Sequence, residues 1–236
     1  MPIASDLPTV GFLVLVCVLM PYSAWQGYFE LKRGKPLPPK LKRFRLMVIG
    51  LLMIIVWAFM AADINNIRLS YKITPLFALL AIATSALLLK AVRGWRKADA
   101  AGRERTLMLY GAEDRAQLRW LLATAVCAGV GEEIIYRGVL FALVTRLTGS
   151  VLLGMAISIV FFALAHVAQG FKSTILAGLF GLMFHLFCLL TGSLAAAMIV
   201  HTIYDGGLFI RFYRELKLLK VAQVSDAVES AKTASI

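Results

Sequence analysis

Residues 44–62 read FRLMVIGLLMIIVWAFMAA. After Arg45 the run carries no charge, and it approaches the length of about 20 largely apolar residues that one membrane-crossing helix needs. Comparable runs lie on both sides of it, at 8–29, 75–92, 119–144, 150–169, 173–191 and 193–212. Seven such spans would take about 140 residues, most of a chain of 236. Composition agrees: 60% of residues are hydrophobic and 16% charged, against about 45–50% and 25% in a soluble domain. The expected fold is an all-α polytopic transmembrane bundle, and a water-soluble enzyme with appended lobes is excluded. A disulfide scaffold is excluded too, because Cys17, Cys127 and Cys188 are odd in number and sit in apolar runs, where cysteine reads as a small core residue.

The formal charge of +12 has the distribution of a membrane protein rather than of a nucleic-acid binder. Nucleic-acid binders gather Lys and Arg on one folded face with aromatics for base stacking; here the cations fall between apolar runs. The first loop carries Lys32, Arg33, Lys35, Lys40, Lys42, Arg43 and Arg45, and the third carries Lys90, Arg93, Arg96, Lys97, Arg103, Arg105, Arg115 and Arg119. Arg211, Arg214, Lys217, Lys220 and Lys232 follow the last run, whereas the second loop has only Arg68 and Lys72. Cation-rich loops stay in the cytoplasm, so the N-terminus is expected outside and the C-terminus inside after seven spans. No cleavable signal peptide is expected, because a positive n-region and a small-residue cleavage site are both missing. Residues 98–118 mix charge with Leu107, Met108, Leu109, Tyr110 and Leu118, as a helix lying on the cytoplasmic surface would. Residues 35–39, with three prolines, form a stiff loop, and the small, polar tail from Val221 is expected to be disordered or weakly helical. The organisation read from this is N-terminal helices over 1–114, a chemistry-bearing core over 115–212 and a cytoplasmic tail over 213–236.

Charge inside a span costs about 2.5–3.5 kcal/mol per Asp or Arg at a helix centre, and the run 119–144 breaks that limit. Its centre reads Gly131-Glu132-Glu133-Ile134-Ile135-Tyr136-Arg137-Gly138. Glu133 and Arg137 are four apart on one helix face and can neutralise each other. Glu132 points about 100° away and needs a partner from another span or a hydrated pocket. His166 closes Phe162-Ala163-Leu164-Ala165-His166, and His201 and Asp205 are again four apart. On the alternating topology these groups share a depth between the midplane and the cytoplasmic face. His185 has no ionisable neighbour at helical spacing and reads as a packing histidine. Carboxylate beside imidazole in a partly desolvated pocket is a general-base arrangement, with Glu132 taking a proton from a water that His166 helps to hold. His201 and Asp205 would then bind a carbonyl oxygen or a metal, and two histidines with one or two carboxylates also suit Zn²⁺ or another divalent ion.

Glu132-Glu133-x-x-x-Arg137, Phe162-x-x-x-His166 and His201-x-x-x-Asp205, in that order in three spans, resemble the three motifs of the CAAX-protease and bacteriocin-processing (CPBP, or Abi) family of intramembrane endopeptidases. The resemblance covers about residues 115–212. It implies that Glu132 activates water, that His166 assists, and that His201 with residue 205 forms the oxyanion-side or metal-side pair. Glu133 and Arg137 would support the site and Phe162 would pack beside it. The prenyl-processing branch usually has Asn where this chain has Asp205. Ionised Asp only accepts hydrogen bonds, which favours a metal-binding or histidine-orienting role there.

The motifs of site-2-type, rhomboid-type and aspartyl intramembrane proteases are missing. A transporter or proton relay is the main rival, because intramembrane Glu, His and Asp also mark ion paths. Transporters commonly show repeated halves, and here the chemistry is confined to the last four spans. A non-catalytic bacteriocin-immunity protein is a third reading. The expected partners are a peptide or membrane-protein substrate and a bilayer with anionic headgroups, attracted by the basic loops, with no nucleic acid. Small size and the lack of a eukaryotic targeting signal point to a bacterial cytoplasmic membrane.

Overall fold

The computed structural model describes residues 6–93 and 100–233. All of the regular structure among them is helical. Helix α1, Leu7–Lys32, widens into a π-helical turn at Leu15–Leu19. Helices α2, Lys40–Ile64, and α3, Pro75–Arg93, follow, and then a short α4, Ala100–Tyr110. Helix α5 is built of three continuous pieces, Arg115–Glu132, a π-helical Glu133–Leu140 and Phe141–Thr148. Helix α6, Val151–Leu164, ends in a 3-10 turn at Val167–Gln169. Helix α7, Phe171–Thr191, and the long α8, Ala195–Thr233, complete the chain. Three helices, α1, α2 and α7, are long and apolar enough to cross a membrane by length and composition. Helices α3 and α6 hold shorter apolar stretches, Phe77–Lys90 and Val151–Leu164.

Each of the seven apolar runs falls on a helix, but several ends differ from the sequence expectation. The surface helix expected over 98–118 stops at Tyr110, and α5 starts at Arg115. Asp114 caps α5 by accepting from the backbone N–H of Gln117 at 2.8 Å, and the Gln117 side chain returns a bond to the N–H of Glu113. This reciprocal cap satisfies donors that a helix start otherwise leaves orphaned. The expectation of a disordered tail from Val221 is corrected: the backbone stays helical to Thr233. No Pro or Gly follows Gly207 to stop it, and Phe212, Glu215 and Leu216 are packed rather than free. The expected loop cations Arg96 and Lys97 lie outside the described residues.

The helix ends gather at two poles. At one pole Asn65, after α2, donates to Thr9 of α1 at 2.7 Å, Arg146 of α5 bonds the Asn65 carbonyl, and Leu194 N–H bonds Ser70 at 2.9 Å. At the other, Lys40 of α2 and Lys220 of α8 both reach Glu113, at 2.7 and 3.4 Å. Arg43 donates to the carbonyl oxygens of Met108 and Leu109, and Arg103 of α4 pairs with Glu215 of α8. The basic first and third loops and the segment after the last apolar run thus meet at one end, as the charge pattern requires.

The main core joins Phe12, Val16, Ala58 and Ala61 to Ile134, Ile135, Tyr136, Val139 and Leu140. The π-helical segment is therefore buried on every side, and all eight of its residues are buried. Outward-facing side chains of α2, among them Leu46, Met53 and Val56, are large, apolar and exposed, the pattern of a helix face turned to lipid rather than water. The three cysteines are free.

Candidate active site

Helices α5 and α8 approach closely at Gly129. A Cβ placed there would lie 2.7 Å from the backbone nitrogen of Thr202 and 2.9 Å from its Cα, so only glycine permits this contact. The contact sets Glu132 and Glu133, one turn further along α5, against His201 on α8. His201 Nδ1 lies 2.9 Å from Glu133 Oε1, and its Nε2 lies 3.8 Å from Glu132 Oε2 and 3.6 Å from Asp205 Oδ2. Both ring nitrogens thus face carboxylate oxygens.

The two adjacent glutamates are in different situations. Glu133 is fully buried, and its Oε1 accepts from Arg137 Nη1 at 3.2 Å as well as from His201. The Arg137 guanidinium lies over Phe162 at 4.1 Å and Phe184 at 5.5 Å, cation–π contacts that offset part of its desolvation. Gly181 gives that guanidinium room, since a Cβ there would lie 3.3 Å from Nη2. Glu132 makes none of these bonds. Its Oε2 has no hydrogen-bond partner among the described residues, and its side chain keeps 15% exposure. A buried, unpaired carboxylate oxygen is costly unless something polar approaches it.

Aromatic rings frame the set. Phe184 stacks on His201 at 5.1 Å, Phe162 meets the same ring edge-on at 6.2 Å, and Tyr136 meets Phe162 at 5.2 Å. Ser158 of α6 donates to the Tyr136 carbonyl, where the widened helix leaves backbone acceptors free. His166 stands at the end of α6 with its ring 4.7 Å from Phe162. Its Nδ1 is 2.7 Å from the Phe162 carbonyl oxygen. That oxygen only accepts, so Nδ1 carries a proton, the tautomer in which Nε2 is the acceptor of the neutral ring.

Of the residues expected from sequence, Glu132, Glu133, Arg137, Phe162, His201 and Asp205 form one contiguous group, and His166 joins it through Phe162. His185 is buried and packs against Phe141 at 5.3 Å, away from these bonds. Phe184 and Gly129 were not anticipated, and an aromatic or a glycine in an apolar helix carries no distinguishing signal in one sequence. Among the described residues no group of three or more His, Cys, Asp or Glu side chains is arranged to hold a metal ion. Glu132, His166, His201 and Asp205, the ligand set expected from sequence, are not gathered in such a group.

The fold and the cluster together define a helical protein with membrane-length apolar helices and a buried carboxylate–imidazole site. Residues 114–207 match the family model described as Type II CAAX prenyl endopeptidase Rce1-like. All three motifs lie inside that segment, so the CAAX-protease resemblance is shown over it. The match points to a CAAX-type protease in an integral membrane protein. No curated protein and no solved structure matches the chain.

Proposed function

We propose that this protein is an intramembrane endopeptidase in which Glu132 activates water for attack on a peptide bond. The observation that carries the reading is the asymmetry of the two glutamates. Glu133 Oε1 is hydrogen-bonded to Arg137 and His201, whereas Glu132 bonds neither of them and stands 3.8 Å from His201 Nε2 with 15% of its side chain exposed. Two carboxylates held in such different surroundings take different roles.

In this reading Glu132 removes a proton from water, and the oxygen of that water bonds to the scissile carbonyl carbon. The carbonyl electron pair moves onto oxygen, which the doubly protonated His201 ring stabilises by donation from Nε2–H. The C–N bond then breaks, and Glu132 returns its proton to the leaving amine. His166 Nε2 accepts from the attacking water and aims it. Asp205, one helical turn away and 3.6 Å from His201 Nε2, holds the charged ring in place by attraction. Seven spans with the N-terminus outside are part of the proposal, supported by the meeting of the basic segments at one pole. The site then opens to the cytoplasmic side, within reach of a peptide tail or the juxtamembrane segment of another membrane protein.

A peptide-terminus survey of membranes holding wild type beside Glu132→Gln, at equal protein level, tests this. New peptide termini seen only with wild type are the expected result. Identical surveys, with the variant folded and inserted, would overturn proteolysis in favour of binding or transport. Metal analysis of the purified protein, with the chelated form assayed for the same termini, checks the Zn²⁺-dependent version of the reaction.

A further inference from the structure

We propose that Tyr110, on α4 and outside the family-matched segment, is a positioning residue that fixes His166 relative to the Glu132–His201–Asp205 group. This rests on the reading of His166 as the residue that aims the water. The phenol touches both sides of the site. Its oxygen lies 3.0 Å from Gln169 Nε2, which donates to it. Gln169 belongs to the turn that follows His166, and its backbone N–H bonds the His166 carbonyl at 3.0 Å. The ring of Tyr110 stacks on Phe209 at 5.7 Å, and Phe209 lies one helical turn beyond Asp205 on α8. One side chain therefore joins the end of α6 that carries His166 to the helix that carries His201 and Asp205.

Three further observations agree. The Tyr110 oxygen accepts from Gln169, so its own proton is left to donate. Burial, with the carboxylates of Asp205 and Glu132 close enough to add to it, pushes the phenol up to about 12, so it remains a neutral donor. Helix α4 is itself pinned, by Arg103 pairing with Glu215 of α8 and by Arg105 lying 4.6 Å from the Tyr28 ring of α1. His166, by contrast, stands where α6 ends and is only half-buried, with one ring bond, to its own helix. Phe162 adds a second tie across this gap, through its ring contacts with both His166 and His201.

The test is residue-resolved modification of the histidines by diethylpyrocarbonate, read by mass spectrometry on the full chain in lipid vesicles, for wild type and Tyr110→Phe. The substitution keeps the stacking ring and removes only the hydroxyl. His166 should react about 3- to 10-fold faster, the range one neutral hydrogen bond supports, while His201 stays protected. Tyr110→Phe with Gln169→Ala should add nothing to either single change, because both break the same contact. Gln169→Glu should keep the wild-type rate, since Tyr110 can then donate to the new carboxylate. Unchanged His166 reactivity in Tyr110→Phe, or equal acceleration at His166 and His201, would overturn the proposal, the second by showing general loosening. The readout does not need turnover, so it stands apart from the terminus survey. Where that survey yields a cleaved peptide, Tyr110→Phe should lower kcat on it with KM little changed.

Discussion

Two clusters of opposite charge lie in this molecule, and they obey different rules. At the basic pole Glu113 takes Lys40 and Lys220 in water, with 42% of its side chain exposed. In the centre of α5, Glu133 takes Arg137 and His201 with no exposure of the Glu133 or Arg137 side chains. The Coulomb attraction at the pole is screened and worth little. In the centre the charges have lost their hydration, so each depends on its partner to be there at all. The comparison teaches that the polar cluster fastens loops together, whereas the central one is a preset electrostatic frame beside which Glu132 stands, 3.8 Å from His201 Nε2 and bonded to neither Arg137 nor His201.

The comparison breaks most visibly at Glu132 itself. Glu132→Gln should lower peptide hydrolysis by about 10²- to 10⁴-fold, the usual contribution of a general base, with little change in thermal stability; a stability loss equal to that of a Glu133 variant would erase the distinction. Arg137→Leu should come next, destabilising the fold by about 3–5 kcal/mol because the buried Glu133 loses its arginine and keeps only His201. Thermal unfolding in detergent reads it, and Glu133→Gln combined with Arg137→Leu should recover much of the loss. Gly129→Ala should cost about 1–3 kcal/mol, the range for overpacking a tight contact, and should lower activity by pushing His201 away from Glu132. Glu113→Gln should be smallest, within about 0–1 kcal/mol and smaller still in high salt.

The pole also has a pH signature. The Lys40 ammonium bonded to Glu113, with burial opposing and Lys220 assisting, holds its carboxyl below the usual carboxylate range. A depressed folded-state value means that its contribution is present above the unfolded value of about 4.3 and is lost as pH falls through the lower folded one. Glu113→Gln should therefore lower stability slightly at neutral pH, by no more than about 1 kcal/mol, and converge with wild type in acid, which flattens the acid limb of a thermal-stability profile.

Much of this was legible before any coordinates. Charge spacing gave the Glu133–Arg137 pair, and the cost of a lone carboxylate in hydrocarbon required a partner for Glu132, which His201 supplies at 3.8 Å. Apolar runs placed the helices, because hydropathy over tens of residues is a strong signal. Helix ends were less legible. The Asp114–Gln117 cap was present in the letters, but surface charge around it outweighed so short a pattern. The helical tail was obscured because small polar residues lower hydropathy without breaking a helix. The π-helical segment and the Tyr110–Gln169 contact left no trace, since the first changes hydrogen-bond register and not composition, and the second joins residues 59 positions apart.

That π-helical segment makes α5 a helix that counts its residues. An α-helix turns about 100° per residue, and a wide turn amounts to one position accommodated without disturbing either end. Many changes of letter between Glu133 and Leu140 would leave that count intact. Removing a single residue there would close the wide turn to an ordinary one and leave Leu143 and Val144 in the core they now fill, whereas removing one from the α-helical turns on either side would rotate the chain beyond by about 100°. Length is therefore held more tightly along the α-helical turns of α5 than within the wide one, which has a residue of slack to give.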